Sequence, residues 1–408
     1  MQPDAIVDLE ELAEKEGVDA GTDPYHLYAR LREKGPVHRV RVPVTKDECW
    51  LVVGPEEARA ALVDRRLSND VTLSAVWKDD GSLAIGRNML QVDEVRHARL
   101  RKLIAREFTA RRVQSLRPRI QEITDGLVEA VASAKRADLV ADFAIPLTLT
   151  VICELMGVAE EDRGNFHAWS EEILKPRSPR SAGEALQAVT GFFAELIDGA
   201  RRREDGDDLL TALVRTNDED GDRLSDDELL GMVFLLFVAG HETTASLITS
   251  GVLSLLRHPE QLGALRADWS ALDGAIEEML RHGAPVQATA FRFAVEPITV
   301  AGTVIPAGDP VLVSLGAVSR VPEQCPYPDR FRIHRPHAEA RSHLAFGHGA
   351  HHCIGAPLAR LEASIAIRTL LERCPGLRLA DGAEPVEEVV WRPNAMLRRP
   401  DSLEVVPA

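Results

Sequence analysis

Apolar residues recur at helical spacing over most of the chain, and the breaks in that rhythm mark its organisation. Pro24–Lys34 repeats apolar positions three and four apart and predicts a short helix. Val37–Val42 and Cys49–Val53 alternate instead, with a polar turn between them, and predict a hairpin. Pro55–Arg66 returns to helix with proline at its first position. Residues 69–90 have no period and predict a long loop, a kind that is usually functional or disordered. From Asp93 to about Asp381 the pattern is mostly helical. It is interrupted by hairpin-like alternation ending at Leu315, then by prolines 322, 326, 328 and 336, which keep the stretch from Val321 to Pro336 irregular. The tail from Glu387 reads as irregular with short strands. The expectation is a mainly α fold with small β-sheets: an N-terminal extension, 1–20, then a single large helical domain, 21–408.

One helix stands out. Ser225 and Glu228 form a capping box, and Asp226 and Asp227 add negative charge at the helix start. The apolar pattern then runs to Arg257, just before Pro259. About 32 residues at a rise of 1.5 Å give a length of roughly 48 Å. Its middle, FVAGHETTAS, brings together Gly240, His241, Glu242, Thr243 and Thr244. Glycine and two threonines weaken helix hydrogen bonding and predict a local bulge. Taken alone, the segment fits a kink with locally satisfied polar groups equally well.

Composition narrows the function classes. The 408 residues carry 48 Lys and Arg against 64 Asp and Glu, a net charge of −16, and 45% are apolar. That is ordinary globular composition, and the acidity argues against general nucleic-acid binding. The uncharged apolar stretches Gly231–Gly240 and Phe143–Cys153 are each about half of the roughly 20 residues a bilayer requires, so no membrane span is expected. The acidic start has no signal-peptide pattern. Five irregularly spaced cysteines point to a reducing cytoplasm.

The segment Phe346–Glu362, FGHGAHHCIGAPLARLE, carries the chemistry. Gly347 and Gly349 precede Cys353, and Gly355 follows it at the start of a helical pattern. A thiolate there meets unpaired backbone N–H groups and the positive end of a helix dipole. Glycines let the backbone pass close under a flat cofactor. The segment resembles the haem-binding loop of the cytochrome P-450 family. Three further motifs agree in order: AGHETT on the long helix, Glu278-x-x-Arg281, and Pro328-Asp-Arg-Phe331 in the proline-rich stretch. The likeness covers roughly residues 20–400, and its loops are most similar to soluble actinobacterial members of the macrolide-hydroxylase group.

The resemblance implies a haem-thiolate monooxygenase that inserts one oxygen atom of O2 into a C–H bond of a bulky natural product, of macrolide or polyketide type. It implies haem b, with electrons from NAD(P)H delivered by a ferredoxin reductase and a ferredoxin. Cys353 becomes the iron ligand and Phe346 its shield, with Gly349 and Gly355 shaping the loop. His97, Arg101, Arg292 and His351 become propionate ligands. Gly240, Glu242 and Thr243 line the oxygen side, with Thr243 and Glu242 as the proton relay. Glu278, Arg281 and Arg330 become a buried structural network. Three positions depart from common family choices: His352, Ser319 and Val95. Oxidative coupling or desaturation of a peptide, steroid or terpenoid, and a non-catalytic haem sensor, remain alternatives. The relay pair favours turnover over sensing.

Charge is uneven along the chain. Nine Lys or Arg residues stand between Arg96 and Arg119 with a single acid, Glu107. With the haem motifs, this stripe implies a proximal face for an acidic ferredoxin. A solvated basic face is the plainer reading. A monomer is expected. The polar stretch LKPRSPRSAGEA suits a mobile lid.

Overall fold

The computed structural model describes residues 6–19, 24–43, 46–77, 88–203, 206, 208–219, 224–380, 389–392 and 396–407. These residues are mostly helical, with three small sheets. The centre of the loop expected over 69–90 lies outside the described residues. The chain divides into two compact units. One comprises Met1–Lys78, Thr124–Ala144 and Thr243–Ala408, and the other Asp79–Ile123 and Ile145–Glu242.

The first unit holds every described strand: β1 (Val7–Asp8), β2 (Val37–Arg41), β3 (Glu48–Val52), β4 (Leu67–Ser68), β5 (Ala137–Asp138), β6 (Arg292–Ala294), β7 (Ile298–Val300), β8 (Thr303–Ile305), β9 (Pro310–Val313), β10 (Arg378–Leu379) and β11 (Glu404–Val406). Six of them form one sheet in the order β1-β2-β3-β9-β6-β4. The expected hairpin is its middle: β2 and β3 are antiparallel, with Val40 opposite Cys49. Successive side chains of a strand point to opposite faces. Here both faces are covered: Cys49, Leu51, Val53 and Leu312 enter one core with Leu31 and Tyr28, while Trp50, Val52, Val311 and Val313 enter another with Leu62 and Leu67. The alternation expected up to Leu315 becomes the β7–β8 hairpin, and β9 joins the main sheet.

Two expectations change. Residues 6–19, read as part of an extension, belong to this unit. β1 pairs with β2, Asp8 caps the helix Leu9–Glu16, Gly17 ends it at a φ of 67°, and Leu9, Leu12 and Ala13 are buried in the first core. The helix from Pro55 stops at Val63 rather than Arg66. The Asp64 carboxylate accepts from the Arg66 backbone N–H and from its guanidinium, at 2.9 and 2.7 Å, and turns the chain there.

In the second unit, helices Glu94–Ala105, Ile145–Leu155, Arg163–Leu174 and Pro179–Arg202 accompany the first half of the long helix Asp226–Arg257. Its start is as expected: Ser225 N–H donates to Glu228 Oε2 at 3.0 Å, and Glu228 N–H donates to Ser225 Oγ at 3.2 Å. The bulge expected at Gly240–Thr244 is absent, and the helix is continuous. Packing overrides local propensity here. A Cβ on Gly240 would stand 2.8 Å from Ile152 Cδ1, so the glycine admits a close neighbour without breaking the helix. This helix is long and apolar enough to cross a bilayer, but most of its apolar span is buried within the protein.

Candidate haem-thiolate site

The loop before the helix Ala356–Arg373 is shaped by two left-handed glycines, Gly347 at φ 72° and Gly349 at φ 73°. A Cβ on Gly349 would lie 2.7 Å from Val63 Cγ1, so this position excludes a side chain twice over. Cys353 N–H donates to the Phe346 carbonyl at 2.8 Å and closes the loop. Gly355 caps the helix, Pro357 follows in the first turn, and a Cβ on Gly355 would lie 3.9 Å from Cys353 Sγ. The thiol therefore stands at the positive end of an 18-residue helix.

Burial separates the five cysteines. Cys49, Cys153, Cys325 and Cys374 are buried, whereas Cys353 is exposed. Burial pushes the Cys49 and Cys153 thiols up to about 12 and also raises Cys325 and Cys374, which keeps these four protonated.

The first unit gathers three of the expected cofactor-binding residues at the end of the helix Pro55–Val63. Arg292, buried on β6, donates through Nη1 to the carbonyls of Ala61 and Leu62 at 3.2 and 3.3 Å. Gly349 packs against Val63 and the Leu62 carbonyl. His351 Nε2 lies 3.0 Å from Asn69 Nδ2, a partner the sequence did not single out. His97 and Arg101 belong to the second unit. They lie one turn apart on Glu94–Ala105, with His97 buried and Arg101 half-buried.

Two successive carboxylates on the helix Leu272–His282 anchor this region. Glu278 and Arg281 form the expected pair, at 2.7 and 2.9 Å. The second arginine of the network is Arg335, not Arg330. Arg335 Nε donates to Glu278 Oε2 at 2.9 Å, and the side chains of all three residues are fully buried. Arg330 is exposed, its guanidinium lies 5.1 Å from the centre of the Tyr327 ring, and only its carbonyl takes part, accepting from Arg281 and Arg335. The physical reason is the irregular backbone after Tyr327, which turns the carbonyls of 326, 327 and 330 toward the buried Arg335 guanidinium.

Sequence reasoning missed Glu277. It accepts from Arg360 Nε at 2.6 Å and pairs with His343 at 3.1 Å. Burial opposes its ionisation, but His343 and Arg360 outweigh that and hold its carboxyl at about 2. The Arg360 guanidinium lies 4.4 Å from the centre of the Phe346 ring. Phe346 is thus clamped by Arg360 and bonded through its carbonyl to Cys353. Its pairing with His352 is loose, at 6.4 Å between ring centres.

On the long helix, Val238, Ala239, Gly240 and Thr243 form an accessible face in an otherwise largely buried span, while Glu242 is buried. The basic stripe is thinner than its sequence. Arg96 and Arg99 both bind the Glu228 carboxylate at 3.1–3.2 Å, and Arg119 binds Glu154 at 2.7 Å. Lys102, Arg106, Arg111 and Arg117 remain exposed.

An accessible thiol in a glycine-shaped turn at a helix start, with the buried Arg292 on the same Leu62 carbonyl that Gly349 approaches, fits an iron porphyrin held by one thiolate and by a cation on its carboxylates. These features define a haem-thiolate protein on a mainly helical framework. Residues 178–383 match the model of the family Cytochrome P450. The chain is 55% identical to cytochrome P450 monooxygenase PikC of Streptomyces venezuelae, over 94% of this chain and 90% of that protein. It is 44% identical to 6-deoxyerythronolide B hydroxylase of Saccharopolyspora erythraea, over 94% and 96%. The tirandamycin C-bound structure of the P450 monooxygenase TamI superposes with a TM-score of 0.88 at 38% identity, over 98% of this chain and all of that one. The chain belongs to the cytochrome P450 family and is one of its monooxygenases.

Proposed function

We propose that this enzyme hydroxylates a bulky polyketide, of macrolide type, using electrons from NAD(P)H that reach it through a ferredoxin reductase and an acidic ferredoxin. The observation that carries the catalytic part is the exposed Cys353 thiol at the start of Ala356–Arg373, beside four cysteines that burial keeps protonated. The substrate class is supported by the relatives, among them 6-deoxyerythronolide B hydroxylase and the mycinamicin IV hydroxylase/epoxidase of Micromonospora griseorubida.

When bound, haem b supplies O2 activation and C–H oxidation. The chain's residues do the rest. The Cys353 thiolate holds the iron, and the Cys353–Phe346 backbone bond with the Arg360 clamp fixes the sulfur's direction. Arg292 and His351 would meet the carboxylates of the cofactor, the role that the family resemblance also gives to His97 and Arg101. The guanidinium groups would neutralise charge that burial otherwise disfavours, and the imidazoles would add hydrogen bonds. Thr243, on the accessible face, would hold a proton at its Oγ for the oxygen chemistry that the haem supplies. Glu242, next in the chain and buried, passes protons to it. Gly240 serves close helix packing against Ile152 as well as the oxygen side. Arg106, Arg111 and Lys102 attract the acidic donor. The protein acts as a monomer in the cytoplasm.

The test is the coupling of reductant to product in Thr243→Ala and Glu242→Gln. Both variants retain haem and substrate binding but divert electrons to peroxide. Unchanged coupling in both refutes the relay.

A further inference from the structure

We propose that Ser170 and His241 form a positioning pair that ties the helix Arg163–Leu174 to the proton-relay turn of the long helix. The proposal deepens the function proposed above and rests on its relay.

The His241 side chain is fully buried, and Ser170 is 1% exposed. His241 Nδ1 lies 2.8 Å from the Phe237 carbonyl, which can only accept, so Nδ1 carries a hydrogen. In the neutral ring Nε2 then accepts the Ser170 hydroxyl proton, at 2.8 Å. The imidazole also stacks on Phe237, with ring centres 5.3 Å apart and planes at 29°. Phe237 in turn sits in a hub with Phe166 and Phe193, at 4.6 and 5.6 Å. Ring orientation is therefore fixed from three sides, across 71 residues of sequence.

Both ring nitrogens are hydrogen-bonded, so the buried imidazole is accommodated in the aromatic hub. A phenyl group would occupy the hub but make neither bond. What the histidine adds is direction: Glu242 is the next residue, and Thr243 the one after. Ser170 stands one turn before Leu174, where the helix gives way to the polar segment read as a lid. That segment is tied to the same helix, since Glu172 accepts from the Arg177 backbone and guanidinium at 2.8 and 2.7 Å, and from Ser181. A movement of this helix pair reaches the relay turn through the Ser170–His241 bond. The pair thus holds the backbone at Glu242 in the orientation that delivers protons.

The experiment uses the haem-loaded enzyme and the variants Ser170→Ala, Ser170→Thr and His241→Phe. Two quantities are read: backbone amide exchange at Glu242 and Thr243, and the fraction of NADPH electrons released as hydrogen peroxide rather than water during turnover with a ferredoxin reductase and ferredoxin, which supply the second electron. Ser170→Ala and His241→Phe are expected to speed exchange about tenfold and to raise the peroxide fraction at least twofold. Ser170→Thr, which keeps the hydroxyl, stays within twofold of the parent in both. Should His241→Phe fail to hold haem, the Ala and Thr variants at 170 decide alone. Unchanged exchange and peroxide in Ser170→Ala, or a Thr variant that behaves like Ala, overturns the proposal. If Thr243→Ala itself leaves the peroxide fraction unchanged, the relay reading has failed, and the exchange readout still judges the pair.

Discussion

Removing the Arg335 guanidinium tests which arginine completes the buried network. In Arg335→Ala the Glu278 carboxylate keeps Arg281 but loses the 2.9 Å bond from Arg335 Nε, with both side chains inaccessible to water. The carbonyls of Pro326 and Arg330 lose donors at 2.9 and 2.7 Å. Breaking a buried ion pair from one side costs about 3–5 kcal/mol. At 1.4 kcal/mol per factor of ten, this amounts to roughly a hundredfold to several-thousandfold in the folding equilibrium. Arg330→Ala removes only an exposed guanidinium over Tyr327, worth about 0.5–1 kcal/mol at most. The assay follows the Soret band of the haem protein through urea. The Arg335 variant loses it at much lower urea, and Arg330→Ala unfolds close to the parent. Arg335→Lys, which keeps the charge but not the planar fork, falls between them. If Arg330→Ala is the more destabilised of the two, the assignment of the network is wrong.

Glu277 makes acid stability dependent on pH. Its folded value of about 2 lies below the ordinary 4.5, so its contribution is complete above 4.5 and is lost as pH falls toward 2. Glu277→Gln flattens that acid limb in urea titrations at successive pH values, and an unchanged slope contradicts the assignment. Gly349→Ala, at φ 73° and against Val63, loses about 1–2 kcal/mol and weakens haem retention, measured by transfer of haem to apomyoglobin. Charge reversal at Arg106 and Arg111 slows reduction by ferredoxin and weakens its salt dependence, while substrate binding is unchanged. Equal reduction rates in low and high salt place docking elsewhere. Arg96 and Arg99 do not belong in that test, because they hold Glu228.

The sequence displays the features that local chemistry decides. The long helix begins after Ser225 and ends at Arg257 as read, because its capping box and the proline beyond it are both local signals. The β2–β3 hairpin and the glycine turn around Cys353 are legible for the same reason. Features that depend on tertiary contact are not. Arg330, Arg332 and Arg335 lie within six residues in a segment without period, and only the fold shows which one points at Glu278. Glu277 and Glu278 look equivalent, yet one serves the Phe346 side of the loop and the other the irregular stretch. The expected bulge at Gly240–Thr244 follows from propensity, whereas the fold keeps the α-helix uninterrupted there, with Ile152 packed close against Gly240. The Ser170–His241 bond joins residues that nothing in the sequence connects.

The central claim is that the Cys353 thiolate is the iron ligand. It is tested most directly by the absorption spectrum of the reduced carbon monoxide complex, recorded for the parent and for Cys353→Ser at matched haem content. A red-shifted Soret band is expected in the parent and is lost in the variant. A band that survives in Cys353→Ser contradicts the assignment and, with it, the function built on that thiol.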